Sequence, residues 1–323
     1  MTISYHVLLF CLALGGTWVV SGFIIGAIDR VARRYRKSRF SVAFFVLGIL
    51  TSIGEISVAV NSTIEGVPPV SAGNLMGASI VIFFLIIPLL AICARSIDLG
   101  QTIRWSTLLF ALCVVAAPSL ATWDGVVLRE EGLSLLLLYG ILIIGIRRKQ
   151  RAVEQIMEDI STHVHRKLLS RKRATLYDSL CIVGGAVFIF VAGKMLVNES
   201  IYFTSLWGVP VSLAGLLVLS IGTNIPELIL AVRSALSRHT DIAFGDYLGS
   251  AAANTMIFGL LPLVNGPFML DRTEFVGSFF ILIIGLTIFA LFARTKNALS
   301  RSEGIALITL YGGFLLVQIA SIF

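Results

Sequence analysis

Charged residues are scarce in this sequence. They make up 13% of its 323 residues, whereas hydrophobic residues make up 57%. So few charges cannot cover a water-soluble globule of this length, and the apolar residues form runs long enough to cross a bilayer. The composition therefore predicts an all-α polytopic membrane protein that is buried in lipid.

Cysteine and histidine are also rare, with four of each. The cysteines lie in apolar segments at unrelated spacings, which indicates small buried residues and not a disulfide framework or a zinc site; they are Cys11, Cys93, Cys113 and Cys181. His163 and His165 form a His-x-His pair, a weak metal signal that is more typical of a solvated helix. Because no catalytic triad, metal-binding motif or nucleotide-binding motif occurs, we predict neither an enzyme nor a cofactor.

The apolar runs predict about ten transmembrane helices. Their approximate positions are 5–28, 40–66, 72–94, 104–122, 128–146, 175–197, 203–233, 245–265, 274–293 and 303–322. Of the 25 lysines and arginines, 22 fall in alternate loops on one side of this layout. The positive-inside rule makes that side cytoplasmic and leaves both termini outside. Topology thus accounts for the net charge of +7, and no nucleic-acid partner is needed.

The predicted helices divide into two membrane halves of five, at residues 1–146 and 175–323, joined by a basic cytoplasmic linker at 147–174. The apolar run at 5–28 is too long for a signal peptide and has no basic region before it. Lacking targeting signals and a long regulatory loop, the chain is predicted to lie in a prokaryotic inner (plasma) membrane. Its expected partners are the lipid bilayer and small cations, and the sequence identifies no protein partner.

A glutamate lies inside the seventh predicted helix, where a carboxylate is costly and by default functional. Pro226 precedes Glu227 and has no backbone N–H, so the carbonyl of Gly222 loses its helical partner. We therefore predict a helix that opens beside Glu227. Thr223 and Asn224 lie four and three residues before Glu227 and share its face.

The same pattern occurs earlier in the chain. Shifting the sequence along itself by a single offset, without a gap, aligns Glu55 with Glu227 and the pair Gly73 and Gly77 with Gly245 and Gly249. We call this alignment the repeat register. We interpret residues 48–94 and 220–266, approximately, as an internal repeat. Because the second and seventh helices cross the membrane in opposite directions, the repeats are inverted and bring both glutamates near the midplane. Two carboxylates facing each other there repel unless a cation or protons lie between them.

These residues resemble the alpha repeats of the sodium/calcium exchanger family, part of the calcium:cation antiporter superfamily. Residues 222–227, Gly-Thr-Asn-Ile-Pro-Glu, are similar to the family's G-T-S-x-P-E, and residues 241–250 to its D-x-x-x-G-N-x-x-G-S. The resemblance implies a secondary active antiporter that exchanges calcium for sodium by alternating access. It also implies oxygen ligands, which suit these hard cations, at Thr51, Ser52, Glu55, Thr223, Asn224, Glu227, Ser250 and Asn254.

The sequence departs from the family pattern in the first repeat. Ala78 and Ile82 fill positions where the family has small polar ligands, and Gly54 stands where proline is usual. Asp246 is interpreted as an N-terminal helix cap near the membrane interface. Two other functions remain open. The first is an antiporter that exchanges calcium, or another cation, for protons. The second is a non-transporting relative that acts as a sensor or a structural protein.

Overall fold

A computed structural model describes residues 3–34, 44, 48–99, 103–160, 172–208, 210–225, 227–228, 231–232, 235 and 240–320. His163 and His165 lie outside this set, as do Pro226 and the basic residues between 35 and 40.

The first half is almost entirely helical. Its elements are α1 (Ile3–Arg34), α2 (Gly48–Thr51), α3 (Ile53–Ile64), α4 (Pro68–Val81), a π-helical stretch (Ile82–Ile86), α5 (Ile87–Ala94), the short strand β1 (Ser96–Asp98), α6 (Trp105–Ala121), β2 (Val126–Val127) and α7 (Arg129–Ile160).

The second half is also almost entirely helical and has its two strands at equivalent places in the chain. Its elements are α8 (Lys172–Trp207), α9 (Val211–Leu213), a π-helical stretch (Ala214–Leu219), α10 (Ser220–Thr223), α11 (Thr240–Asn265), β3 (Phe268–Met269), α12 (Arg272–Lys296), β4 (Ala298–Ser300) and α13 (Arg301–Ala320).

The prediction of an all-α membrane protein is confirmed. Among the described residues, five helices are long and apolar enough to cross a bilayer: Pro68–Ala94, Val183–Trp207, Ala243–Asn265, Phe275–Thr295 and Arg301–Ala320. Of these, Pro68–Ala94 and Ala243–Asn265 are the most buried. They form the centre of the protein, and each contains the glycine pair of one repeat.

Two small β-ribbons extend the repeat well beyond the glutamate helices. β1 pairs antiparallel with β4, and β2 pairs antiparallel with β3. In the repeat register Ser96, at the start of β1, corresponds to Phe268 in β3, and Val126 in β2 corresponds to Ala298 in β4. The repeat therefore exchanges the two ribbons, as a pseudo-two-fold axis between inverted halves requires. Each ribbon also joins two loops that are predicted to lie on the same side of the membrane.

The helices after these ribbons begin in the same register. α7 begins at Arg129 and α13 at Arg301, and these two residues correspond in the repeat register. At each start a glutamate side chain accepts a hydrogen bond from a backbone N–H: Glu131 from Leu128 at 2.8 Å, and Glu303 from Ser300 at 2.7 Å. Such bonds satisfy donors that the first turn of a helix leaves free. The inverted two-half architecture thus includes matching helix starts.

Two features differ from the sequence predictions. Cys11, Cys93 and Cys113 are exposed on the protein surface, where lipid surrounds a membrane protein, so the interpretation of the cysteines as buried was wrong. α7 also continues to Ile160, beyond residue 146 where the fifth span was predicted to end. The boundaries of the linker stay a prediction, since residues 161–171 lie outside the described part of the chain.

α1 packs along α8 and is tied to it by an ion pair. Nδ1 of His6 lies 2.7 Å from Oε2 of Glu199, and the imidazole stacks on the ring of Tyr202 with the ring centroids 3.6 Å apart. Because both partners are mostly buried, this hydrogen bond is shielded from competing water.

We expect His6→Phe, which retains an aromatic ring but leaves the mostly buried Glu199 without its partner, to lower the free energy of unfolding by about 1–3 kcal/mol. Thermal unfolding in detergent measures this, with Tyr5→Phe as the control on the neighbouring exposed ring. Adding Glu199→Gln to His6→Phe is expected to cost little more, because the bond is already lost. Fully additive losses would show that the two side chains are not energetically coupled.

Candidate cation-binding site

Both repeats contain a helix break immediately before the glutamate. α2 ends at Thr51, and Ser52 adopts φ −75° and ψ 9° before α3 begins. α10 ends at Thr223, and Asn224 adopts φ −90° and ψ 10°. Ser52 and Asn224 correspond in the repeat register, so the breaks are equivalent. The predicted opening beside Glu227 is therefore present, and the first repeat opens at the same place without a proline.

The two glutamates that follow these breaks are completely buried. Asn224 donates from Nδ2 to Oε1 of Glu55 at 3.3 Å, and Ser250 donates from Oγ to Oε1 of Glu227 at 3.2 Å. The second carboxyl oxygen of each glutamate has no hydrogen-bond partner among the described residues. A buried carboxylate oxygen without a partner is costly, so these atoms mark where an absent ligand or proton is needed.

Hydroxyl groups connect the two repeats around the glutamates. Ser52 and Ser250 share a hydrogen bond of 3.0 Å between their Oγ atoms. Ser52 also donates to the carbonyl of Gly48 at 2.7 Å. The helices that contain Glu55 and Glu227 are thus joined through short polar side chains in the core of the membrane domain.

A symmetric pair of hydrogen bonds lies beside this centre. Oγ1 of Thr51 donates to Oδ1 of Asp246 at 3.2 Å, and Oγ1 of Thr223 donates to Oδ1 of Asn74 at 3.3 Å. Thr51 is equivalent to Thr223 in the repeat, and Asn74 is equivalent to Asp246. The two bonds therefore correspond to each other, but one acceptor is an amide and the other a carboxyl group.

Seven of the eight predicted ligands form hydrogen bonds with one another or with these two acceptors; they are Thr51, Ser52, Glu55, Thr223, Asn224, Glu227 and Ser250. The eighth, Asn254, is buried, but neither atom of its amide group has a partner. It lies one turn beyond Ser250 on α11 and lines a small cavity with Ser79 and Met76. The role of all eight as ligands stays a prediction.

Two polar residues beside the site were not predicted from the sequence. Asp246 is not a cap near the interface, because α11 begins well before it at Thr240, and its side chain is completely buried. Asn74 is equally buried, and no role was predicted for it. The register of the repeat was the available signal, since each residue directly follows an aligned glycine, Gly73 or Gly245.

Ala78 and Ile82 are buried on the first-repeat helix and contribute no ligand atom. They are the equivalents of Ser250 and Asn254, so the polar lining is richer on α11 than on α4. Within the described ranges, no three histidine, cysteine, aspartate or glutamate side chains converge on one metal-sized point. The polar groups are carboxylates, hydroxyls and amides, which suit a hard cation such as sodium or calcium and not a soft transition metal.

The fold and this buried centre define a class of protein: an inverted-repeat membrane transporter with acidic groups at two symmetric helix breaks. A family model described as "Sodium/calcium exchanger protein" matches residues 5–146 and 178–320. The chain belongs to this sodium/calcium exchanger family, a family of membrane cation antiporters and not of enzymes.

Individual relatives agree with this assignment. The inner membrane protein YrbG of Escherichia coli (strain K12) is 25% identical over 90% of this chain and 89% of its own length. The sodium/calcium exchanger MaX1 of Methanosarcina acetivorans is 31% identical over 43% of this chain and 40% of its own length. A solved structure of the sodium-calcium exchanger NCX_Mj, soaked with Na⁺ and Sr²⁺, superposes with a TM-score of 0.70 at 20% identity, covering 99% of both chains. This likeness shows a shared fold.

Proposed function

We propose that this protein exchanges Ca²⁺ for Na⁺ across the membrane by alternating access, with the cations bound between Glu55 and Glu227. One observation carries the proposal. The two glutamates are fully buried at symmetry-related helix breaks, and each has a carboxyl oxygen without a hydrogen-bond partner in the described part of the chain. A purely structural pair of acids would be expected to satisfy both oxygens within the bundle.

The charges at the centre fit alternate occupancy by the two ions. Two carboxylates neutralise one Ca²⁺ or two Na⁺, so either load removes the repulsion between Glu55 and Glu227. An empty site leaves two negative charges in a medium of low dielectric constant, which is strongly unfavourable. Movement of the site between the two faces therefore requires a bound load, and that requirement couples the two ion flows.

The neutral oxygens around the glutamates complete the proposed coordination. Thr51, Ser52, Thr223, Asn224, Ser250 and Asn254 supply hydroxyl or amide oxygens from both repeats. Ca²⁺ takes six to eight oxygen ligands, a number that two carboxylates alone do not reach. Removing a shared hydroxyl, such as that of Ser250, therefore weakens binding without changing the charge of the site.

A proton-coupled exchanger is the second candidate, and the first repeat supplies the observation that favours it. Ala78 on α4 and Ile82 in the π-helical stretch after it supply no oxygen ligand, which reduces the coordination available for several sodium ions. Two protons also neutralise Glu55 and Glu227 and need no further ligand.

The proposed orientation has both termini outside and the segment at 147–174 in the cytoplasm, joining the halves 1–146 and 175–323. The alternation of lysine and arginine between the loops supports it. The relation to YrbG, an inner membrane protein, supports a location in a prokaryotic inner membrane.

The test is uptake of radioactive calcium into proteoliposomes that contain the purified protein. One arm has a sodium gradient directed outward and the other has only a pH gradient. We expect uptake in the sodium arm, because Na⁺ that binds on the inner face moves with the site to the outer face, dissociates there and leaves the site for external Ca²⁺. Glu65→Gln is the matched control, because Glu65 is exposed directly after the end of α3, the helix that contains Glu55.

Calcium uptake in the pH arm alone would show that protons, and not sodium ions, are exchanged for calcium. If protein that melts cooperatively takes up no calcium in either arm, calcium exchange is contradicted. The remaining functions would then be transport of a different cation or a non-transporting role. Strong uptake without any gradient-driven accumulation would indicate a passive pathway instead of exchange.

A further inference from the structure

The membrane core contains a third carboxyl group. Asp246 is completely buried, two turns into α11, and only one of its oxygens has a hydrogen-bond partner. Building on the function proposed above, we infer that Asp246 and Thr51 hold a second cation, a monovalent one, beside the Glu55–Glu227 position.

Among the described residues, no cationic side chain forms an ion pair with Asp246. Its Oδ1 accepts from Oγ1 of Thr51 at 3.2 Å, and its Oδ2 has no partner. In the part of the chain that the structure describes, the one ion pair is that of His6 and Glu199, far from α11 in sequence. A buried carboxyl group without a cationic side chain is neutralised either by a proton or by a bound cation. A bound cation supplies that charge, and the free Oδ2 supplies a ligand for it.

The Asp246 position adjoins the central one and shares Thr51 with it. Asp246 and Ser250 share one face of α11 but lie one turn apart, or about 6 Å along the helix axis. Ser250 donates to Glu227, whereas Asp246 accepts from Thr51, which is itself one turn before Glu55. Among the described residues the three carboxyl groups do not form one metal-sized cluster, so we assign the second cation to Asp246 and not to the central position.

The charge is present at one end of the site only. The equivalent of Asp246 is Asn74, which accepts from Thr223 as Asp246 accepts from Thr51. In the motif that residues 241–250 resemble, the position of Asp246 is an asparagine as well. The extra carboxyl group is therefore a feature of this chain, added toward the Thr240 end of α11. It makes an otherwise symmetric pair of polar contacts electrostatically unequal.

A monovalent hard cation suits this position better than a divalent one. A single carboxylate balances one positive charge, and the neighbouring Thr51 contributes a neutral oxygen. A divalent ion would retain an uncompensated charge there, at a cost that Coulomb's law makes large in a low-dielectric interior. Sodium is therefore the probe. We predict that the protein at saturation binds one more monovalent cation than Glu55 and Glu227 bind alone.

The experiment measures equilibrium binding of radioactive sodium to the purified full-length protein in detergent, with calcium binding measured in parallel. Asp246→Asn keeps the size of the side chain and the acceptor for Thr51, and it introduces the residue found at Asn74. Asp246→Ser is a second neutral variant, and Asp98→Asn is the control on an exposed aspartate. Thermal unfolding confirms that each variant is folded.

We expect both neutral variants to bind one sodium ion fewer per protein, or to bind it at least about tenfold more weakly, since loss of a supporting group alone costs a metal site about 10–100-fold. Calcium binding in sodium-free buffer should fall far less than in Glu227→Gln. Unchanged sodium stoichiometry and affinity in both Asp246 variants, with Glu227→Gln still abolishing calcium binding, would overturn this inference alone. Calcium binding that survives both Glu55→Gln and Glu227→Gln would instead overturn the proposed function.

Discussion

Glu227→Gln and Glu55→Gln are each expected to reduce calcium exchange by at least about a hundredfold, because breaking a buried charge pairing costs about 3–5 kcal/mol. Each substitution preserves the shape of the side chain and removes one of the two charges that face the cation. The central position would then hold one carboxylate against a divalent ion, and the bound state would carry an uncompensated positive charge. Initial rates of calcium uptake in proteoliposomes measure the effect, with Glu65→Gln as the control.

The same variants separate a transport role from a structural one. If Glu55 and Glu227 were protonated acids that only hold the bundle together, glutamine would replace them with little loss of transport. In our proposal the ion-free protein should be at least as stable with glutamine, because a buried charge is removed. Addition of calcium should then raise the melting temperature of the unsubstituted protein only, by mass action. Calcium stabilisation that persists in both variants would contradict a binding role for the glutamates.

The glutamates were predictable from the sequence because a carboxylate inside an apolar helix is costly and rare. Two of them in the same register, each followed by a pair of glycines, also predicted the inverted repeat. The structure extends the repeat register to the ribbons and to the starts of α7 and α13. Such short ribbons leave no hydrophobic pattern of their own, and so this part of the repeat was not predicted.

Asp246 was misinterpreted because its burial depends on where α11 begins. Charge near the end of an apolar run is usually a helix cap. Here the helix begins at Thr240, and residues 243–246 are packed inside the bundle beneath α2. The cysteines were misjudged for a related reason, since hydropathy does not distinguish a residue that faces lipid from one that faces the protein core. Both errors concern tertiary packing, which the local sequence does not encode.

The paired hydrogen bonds of Thr51 and Thr223 suggest how symmetry and function are combined. A twofold-related scaffold provides equivalent helix breaks in both halves, and a small number of substitutions then makes the two sides chemically different. Ala78 and Ile82 remove oxygens from one repeat, whereas Asp246 adds a carboxyl group to the other. The cation ligands in our proposal are therefore concentrated on the second repeat, although the backbone that holds them is shared by both.

The glycines of both repeats support this backbone by permitting close contact between main chains. A Cβ atom at Gly249 would overlap the carbonyl group of Phe44, and one at Gly77 would overlap the carbonyl group of Leu216. Phe44 and Leu216 correspond in the repeat register, so the two contacts are equivalent. In each contact a central helix packs against a π-helical residue, Phe44 or Leu216, that precedes a helix break in the chain. The neighbour in each case is backbone, which cannot rotate away as a side chain can.

We therefore expect Gly249→Val and Gly77→Val to prevent formation of a monodisperse folded protein. The corresponding alanine variants should lose more than the roughly 1–3 kcal/mol of ordinary overpacking, because the helices themselves must separate. Gly140→Ala is the matched control, since a Cβ at Gly140 meets no atom within 4 Å. Size-exclusion profiles and melting temperatures in detergent provide the measurement. Equal melting temperatures for Gly249→Ala and Gly140→Ala would show that the close approach of α11 to Phe44 is not needed. In contrast, a variant that melts normally but no longer binds calcium would show that the glycine positions the site without holding the fold.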